Sequence, residues 1–324
     1  MLIKNLYPME DIIPPIPREA ILDELTKERF VRKTNNGNNE IFIISDYDSP
    51  NTMLEIGRLR EISFRESGGG TGMSTDIDDY DRGENGFKQL LVWNPEDKEV
   101  VGGYRFIDCK NLHIDADGQV HTPTAKLFNY SQCFINDYLP ITLELGRSFV
   151  QPLYQPSRNV RKGMYSLDNL WDGLGALVVD YPNARYFFGK VTMYSHFDVY
   201  ARDLILHFMH KYFPDPDALV VPHIPLSIQT PVSELEAAFT EGSYEGDYKL
   251  LVQLVRNRNE NIPPLFNAYM NLSSTMRTFG TALNAGFGEV EETGIMLTIP
   301  DIYDAKKDRH TKTYRKNETP SHLT

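Results

Sequence analysis

The run Glu144-Leu145-Gly146-Arg147-Ser148-Phe149-Val150 sets an acid and a base three residues apart in an otherwise apolar, strand-like stretch. A charge buried without a partner is costly, so two of them in such a strand must either pair or act. A carboxylate and a guanidinium at one site can move protons and hold charged substrate groups. Residues three apart on a flat strand face opposite sides. If Glu144 and Arg147 serve one site, the strand has to bulge near Gly146.

Further chemistry-bearing residues precede this run. Arg60 and Phe64 are four apart in a segment, 51–64, whose Met53, Ile56, Leu59 and Ile62 recur at near-helical spacing; they share one helix face. Asn51 and Thr52 are its cap candidates. Ser67-Gly68-Gly69-Gly70-Thr71-Gly72 reads as flexible, either a mobile cover over a site or a plain linker. It is not a phosphate loop, because no strand precedes it and no Lys-Ser/Thr follows. Asp76, Asp78, Asp79 and Asp81 come next; alone they describe a solvated acidic loop, and an EF-hand's glycine and distal glutamate are out of register. Gly102-Gly103-Tyr104-Arg105 places an arginine within a strand, where paired glycines mark close approach of a ligand or backbone, or else a bulge. His207 and His210 lie at i, i+3 on a helix without further zinc ligands nearby, which suits a solvated face.

The elements that must position these residues follow from periodicity and breakers. A helix opens at Pro17 and runs to about Phe30, and Ile41–Ile44 is a strand. Phe87–Trp93 and Glu99–Ile107 form a hairpin across Asn94-Pro95-Glu96-Asp97. Ile141–Val150 is a strand, 165–180 a helix with Trp171 in its core face, Ala184–Val191 a strand and Ser195–Phe213 a helix. Helices at 232–240 and 245–259 precede a return to short strands over 262–299. The alternation indicates a mixed α/β layered domain. The expected organisation is an N-terminal arm and helix (1–38), a core (39–230), a C-terminal extension packed on it (231–305) and a disordered basic tail (306–324).

The chain has 324 residues, 41% of them apolar and 24% charged, enough for a sizeable core. Its net charge of -12 argues against a nucleic-acid-binding surface. Two cysteines, Cys109 and Cys133, give neither a disulfide framework nor a metal spacing, which fits a reducing compartment. The N-terminus lacks the apolar core of a signal peptide, and no stretch approaches the ~18 apolar residues of a membrane span. From these features the expected location is the cytoplasm. The tail's Lys306, Lys307, Arg309, Lys312, Arg315 and Lys316 suit peripheral contact with an anionic inner-membrane surface, though a solvated tail is the plainer reading.

Taken in order, the motifs resemble the N-acyltransferase branch of the GNAT superfamily. Two relatives match: the acyl-homoserine-lactone synthases and, more closely, the ornithine/glycine lipid N-acyltransferases once labelled hemolysin-like. The family's helical Arg-x-x-x-Phe is Arg60 and Phe64, its Asp-x-x-Asp is Asp78 and Asp81, its Gly-x-x-Arg is Gly102 to Arg105, and its Glu-x-x-Arg is Glu144 and Arg147. The lipid branch's Gly-Arg-Ser-x-Val is Gly146 to Val150, its Leu-Trp-x-Gly is Leu170 to Gly173, and its Phe-Gly is Phe188-Gly189. The resemblance covers about 56–191, with a looser match from Pro263 to Gly288. One departure stands out. Arg158-Asn159-Val160-Arg161-Lys162-Gly163-Met164 lacks the second small residue of the pyrophosphate-holding loop of acetyl-CoA enzymes.

The resemblance implies a GNAT-like fold and direct attack of an amine on a thioester, with no acyl-enzyme and no permanently bound cofactor or metal. It makes Glu144 the candidate base, with burial raising its pKa and Arg147 lowering it. Backbone amides near Phe149 and Val150, beside Ser148, are candidates for polarising the carbonyl. Arg60 or Arg105 would take the carboxylate of an amino-acid acceptor; Phe64, Asp78 and Asp81 would border the same substrate, the two aspartates either by direct contact or by orienting the arginines in an ion network. Tyr194 and Tyr200 are weaker candidates for returning a proton to the thiolate. The loop's defect favours acyl carrier protein over CoA as donor, and Arg158, Arg161 and Lys162 would dock its acidic face. The expected reaction moves a long, 3-hydroxylated acyl chain to glycine or ornithine, the first step of aminolipid synthesis. The alternatives are a homoserine-lactone-type signal synthase and a non-catalytic carrier-protein- or membrane-binding module.

Overall fold

In the computed structural model of the protein, residues 9–115, 117–315 and 318–323 are described; residues 1–8 of the arm and Lys316 of the tail lie outside them. The strands are β1 (Phe30–Lys33), β2 (Glu40–Ile44), β3 (Lys88–Asn94), β4 (Glu99–Asp108), β5 (Phe128–Tyr130), β6 (Thr142–Val150), β7 (Tyr186–Met193), β8 (Val220–Pro222), β9 (Arg277–Asn284) and β10 (Val290–Thr298). The helices are α1 (Arg18–Glu24), α2 (Pro50–Glu66), α3 (Val160–Gly163), α4 (Ser166–Asp180), α5 (Val199–Tyr212), α6 (Val232–Ala237), α7 (Tyr244–Asn257), α8 (Pro264–Met270) and α9 (Asp304–Thr311).

Eight strands form one mixed sheet in the order β1-β2-β3-β4-β6-β7-β10-β9. Its pairs are antiparallel except β6–β7, which run parallel. A parallel pair needs a crossover, and α4 supplies it. One face is buried against α4, α5, α7 and α8, through Leu143, Leu145, Leu174, Leu204 and Phe266. The opposite face has two covers. Phe42, Met53, Leu59, Phe64 and Phe149 pack under α1 and α2. Phe128, Phe134, Phe188 and Phe279 pack under the β5–β8 ribbon. The seam between these covers lies over β4, β6 and β7.

Local chemistry explains the elements and their departures from the sequence reading. Helix α2 begins at Pro50, and its first amides are satisfied by Glu24 of α1, whose carboxylate accepts from Asn51 N (3.0 Å) and Thr52 N (2.7 Å). The first helix ends at Glu24, and Phe30–Lys33 pairs with β2 as an edge strand. Pro263 and Pro264 open α8 rather than breaking the chain into strands, since proline fits the first helical turn. The C-terminal extension is not merely packed on the core: β10 pairs with β7 along eight residues and so completes the sheet.

The basic tail is corrected as well. Asp304–Thr311 is a helix lying on α4, although it has no apolar face. Polar contacts hold it instead. His310 Nδ1 is 2.8 Å from Asp172 Oδ1, Arg309 pairs with Asp168 at 2.7 Å, and the Arg32 guanidinium donates to the His310 carbonyl at 2.7 Å. None of the described helices is long and apolar enough to cross a membrane.

Candidate active site

Strand β6 carries the bulge that the Glu144–Arg147 spacing demands. Arg105 opposes Gly146 and Gly103 opposes Phe149, so Arg147 and Ser148 together face Tyr104. Arg147 sits at φ +49°, in the left-handed region, at a cost of about 1–2 kcal/mol for a residue with a Cβ. The extra residue reverses the strand's parity. Leu143 and Leu145 face α4, yet Phe149 faces α2, whereas an unbroken strand would put all three on one side.

Beyond the bulge β6 and β7 part company. Their pairing ends at Leu145–Gly189, and from Gly146 onward β6 is paired only with β4. Gln151 N donates to Val101 O (3.0 Å), so strand alternation turns the Phe149 N–H toward β4 and the Val150 N–H toward the open side. On that side the Val150 carbonyl accepts from Gln155 Nε2 at 2.9 Å. A cavity of about 310 Å³ passes through the gap, walled by Phe64 and Phe287 from one face of the sheet and by Leu145 and Leu170 from the other.

Glu144, Arg105, Arg147, Ser148, Phe149 and Val150 all border this cavity. Glu144 is 1% exposed. Its Oε1 accepts from Thr124 N at 3.2 Å, while Oε2 has no hydrogen-bond partner among the described residues. Burial pushes its carboxyl above the ordinary glutamate value, with the Thr124 and Thr122 side chains and Lys190 pulling the other way. Lys190 also borders the cavity, but its ammonium is held by the Pro123 carbonyl (2.9 Å) and Glu292 (3.2 Å).

Arg147 pairs not with Glu144 but with Asp76, at 2.8 Å, and its guanidinium lies 4.1 Å from the centre of the Phe287 ring. Asp76 belongs to a buried network. Arg105 Nη1 meets Asp78 (2.8 Å) and Asp81 (3.1 Å); Arg60 Nη1 meets Asp81 (3.2 Å) and the Asp76 carbonyl (3.4 Å); Gln89 bridges Arg60 and Asp81. Burial alone would raise Asp81, but Arg60 and Arg105 prevail and hold its carboxyl down at about 2. For Asp76 burial outweighs Arg147 and the pKa rises.

The network separates the two arginines read as carboxylate binders. Arg60 is absent from the cavity wall and pairs with Asp81 behind it; its Nε, like that of Arg105, has no hydrogen-bond partner among the described residues. Arg105 borders the cavity, and its buried Nε is free to donate into it as far as the described residues go. Asp78 pairs with Arg105, and Asp81 pairs with both Arg60 and Arg105.

Other residues divide similarly. Tyr194 lines the cavity, and burial raises its phenol pKa; Tyr200 lies outside it, beside Arg258. The glycine segment 67–72 is tied down: Glu61 accepts from Thr71 N (3.0 Å) and Gly72 N (2.7 Å), and a Cβ on Gly288 would come within 2.9 Å of the Gly69 Cα. Those glycines permit close backbone packing rather than a free cover. In the 158–164 loop, Arg158 pairs with Glu66 (3.0 Å) and Lys162 with Asp97 (2.6 Å), while Arg161 is exposed with no ion pair among the described residues. Asn159 caps α3 by accepting from Lys162 N. Gly163 serves packing, since a Cβ there would lie 2.4 Å from Pro156 N.

Sequence reasoning missed Asp76 as Arg147's partner, Gln89, Thr124, Lys190, Glu292 and Phe287. Lys190 and Glu292 carried the signal that exposed Glu144, a charge inside an apolar strand.

Comparison with known proteins agrees with this architecture. A family profile described as an acetyltransferase (GNAT) domain matches residues 59–163. A protein named glycine N(alpha)-acyltransferase from Phocaeicola vulgatus is 52% identical over 95% of this chain and 94% of its own length. One of the same name from Bacteroides thetaiotaomicron is 51% identical over 94% of this chain and 91% of its own. Among solved structures, a CoA-dependent acyl-homoserine lactone synthase, BjaI, with SAM and isopentyl-CoA aligns with a TM-score of 0.37 and 14% identity, covering 86% of this chain and 92% of that one. An aminoglycoside 6'-N-acetyltransferase with coenzyme A aligns at 0.33 and 12%, over 79% and 96%. With half of its residues shared along nearly the whole of both relatives, the chain belongs to their family, the N-acyltransferases built on the GNAT fold.

Proposed function

We propose that the protein transfers a long acyl chain, 3-hydroxylated in its preferred form, from a carrier-protein thioester to the amine of glycine, giving the mono-acylated precursor of an aminolipid. The observation that carries this reading is a buried carboxylate with one unspent oxygen, Glu144 Oε2, beside the open edge of β6. The amine attacks the thioester carbonyl carbon and gives its proton to Glu144, directly or through one water. The Val150 N–H receives the developing oxyanion. The C–S bond then breaks, and Tyr194, kept protonated by burial, supplies the thiolate's proton. Direct attack is supported by Cys109, whose thiol burial pushes well up and which does not border the cavity.

The acceptor's carboxylate goes to the unspent Nε of Arg105. Arg105 opposes Gly146, so Glu144 is its diagonal neighbour at roughly 7–8 Å, a span suited to one small α-amino acid. Glycine is favoured over ornithine by the names of the relatives and by Glu292. That second acid at the cavity is already spent on Lys190 and on Asn284 Nδ2 at 2.9 Å. A carrier-protein donor is supported by the missing small residue in the 158–164 loop, by Asn159 occupying the Lys162 amide of α3, and by the exposed Arg161. Arg158 and Lys162 would have to exchange Glu66 and Asp97 for the carrier's acids.

The test offers the purified protein hydroxyacyl and plain acyl chains on carrier protein and on CoA, with a panel of amino acids, and identifies products by mass spectrometry. N-acylglycine from the carrier-bound donor is the expected product. Absence of any N-acyl product refutes the reading.

A further inference from the structure

The cavity at β6 opens toward a larger space on the α4 side of the sheet. Leu167, Trp171, Leu174 and Val178 recur in steps of three and four, and so form one stripe along α4 about 16 Å long. Helix α8 lies across this stripe with Ala268 facing the groove. Between the helices is an unfilled volume of about 660 Å³. It adjoins the reacting cavity at Leu167, which borders both. A narrow void of about 40 Å³ between β6 and β7 makes a second link, bordered by Leu265 on the reacting side and by Phe187 on the groove side.

Helix α9 closes the far end. A Cβ on Gly175 would lie 2.7 Å from the His310 carbonyl oxygen, so α9 rests directly on the α4 backbone. The Arg309–Asp168 and His310–Asp172 contacts fix it there. An apolar stripe facing unfilled space gains stability when an apolar ligand takes the water's place.

We infer that this groove is the distal compartment for the acyl chain of the donor, and that α9 is the end wall that limits chain length. The inference rests on the acyl-transfer reading: the thioester sits at β6, and the chain passes Leu167 and lies between α4 and α8.

The test uses the full-length enzyme with hexadecanoyl and butanoyl thioesters, glycine, and the Ala268→Phe variant, which fills the groove without touching the β6 site. The variant should lower kcat/KM for the hexadecanoyl donor roughly two-hundredfold, the loss expected when about four methylenes stay in water, and leave the butanoyl donor unchanged. Butanoyl turnover also shows that the variant folds. Trp171 is an internal reporter, since the only other tryptophan, Trp93, is fully buried under α2. Hexadecanoyl thioester should shift its emission, and Trp171→Phe should abolish the shift. Transfer of both chains with a length profile that Ala268→Phe leaves unaltered overturns the inference while the transfer reading stands. No N-acyl product from the wild type, with Trp171 still responding to the long chain, overturns the transfer reading and keeps the chain in the groove.

Discussion

Replacing Glu144 by Gln removes one proton-accepting oxygen and almost nothing else. The side chain keeps its shape, and its carbonyl can still accept from Thr124 N. A positioned general base contributes about 10²–10⁴ in rate, so kcat should fall by that factor, equal to about 3–5 kcal/mol of transition-state stabilisation. Donor KM should change little, because the substitution leaves the proposed thioester site at β6 and the groove untouched. Stability should move the other way. The Glu144 carboxyl is raised in the folded protein, so its contribution is fully present below the unfolded glutamate value of about 4.3 and is lost as pH rises through the folded value. The glutamine variant escapes that loss: it should match the wild type in acid and equal or exceed it at neutral pH. Steady-state assays across pH and urea titrations at two pH values measure both effects. In the wild type the acidic limb of kcat/KM should report a group titrating above the ordinary glutamate range, and in the variant that limb should disappear. A variant that keeps kcat within about threefold, or that falls in activity only because it unfolds, refutes the assignment.

Three further outcomes follow from the same geometry. Arg147 occupies a left-handed position, so Arg147→Ala should be less stable than Arg147→Gly by about 1 kcal/mol in urea unfolding, and both should lose activity because Asp76 is left unpaired. Gly146→Ala would place a Cβ 3.4 Å from Arg105 Nε; the KM for glycine should rise while that for the acyl donor stays fixed, as initial-rate kinetics will report. Asp81 is depressed to about 2 against about 3.9 when unfolded, so its roughly 2–3 kcal/mol is present above about pH 4 and lost as pH falls toward 2; the stability gap between wild type and Asp81→Asn should close over that window.

The parts legible in the sequence were those whose signal is local. The β3–β4 hairpin announces itself by two apolar runs around Asn94-Pro95-Glu96-Asp97, and β6 by charges that an apolar strand would otherwise exclude. A bulge was the condition for Glu144 and Arg147 to border one cavity, since their spacing on a flat strand puts them on opposite faces. What stayed hidden depends on tertiary contact. Helix α9 has no apolar stripe and exists because Asp168, Asp172 and Gly175 of α4 receive it. Asp76 looked like one of four loop acids; only the fold carries it to Arg147, 71 residues away. Arg60 and Arg105 are chemically alike in sequence and equally buried, and only their places in the fold, on α2 and on β4, decide that Arg105 alone of the two borders the cavity. The glycine segment had the composition of a mobile linker, but Glu61 and Gly288 hold it against α2 and the β9–β10 turn.

The most direct test of the central claim is a crystal structure with an N-acylglycine bound. The account predicts the amide nitrogen within about 2.6–3.2 Å of Glu144 Oε2, or one water away, the carboxylate on Arg105 Nε, the acyl carbonyl at the Val150 N–H, and the chain passing Leu167. An acylglycine seated elsewhere, or one in this cavity with its amide turned away from Glu144, would contradict it.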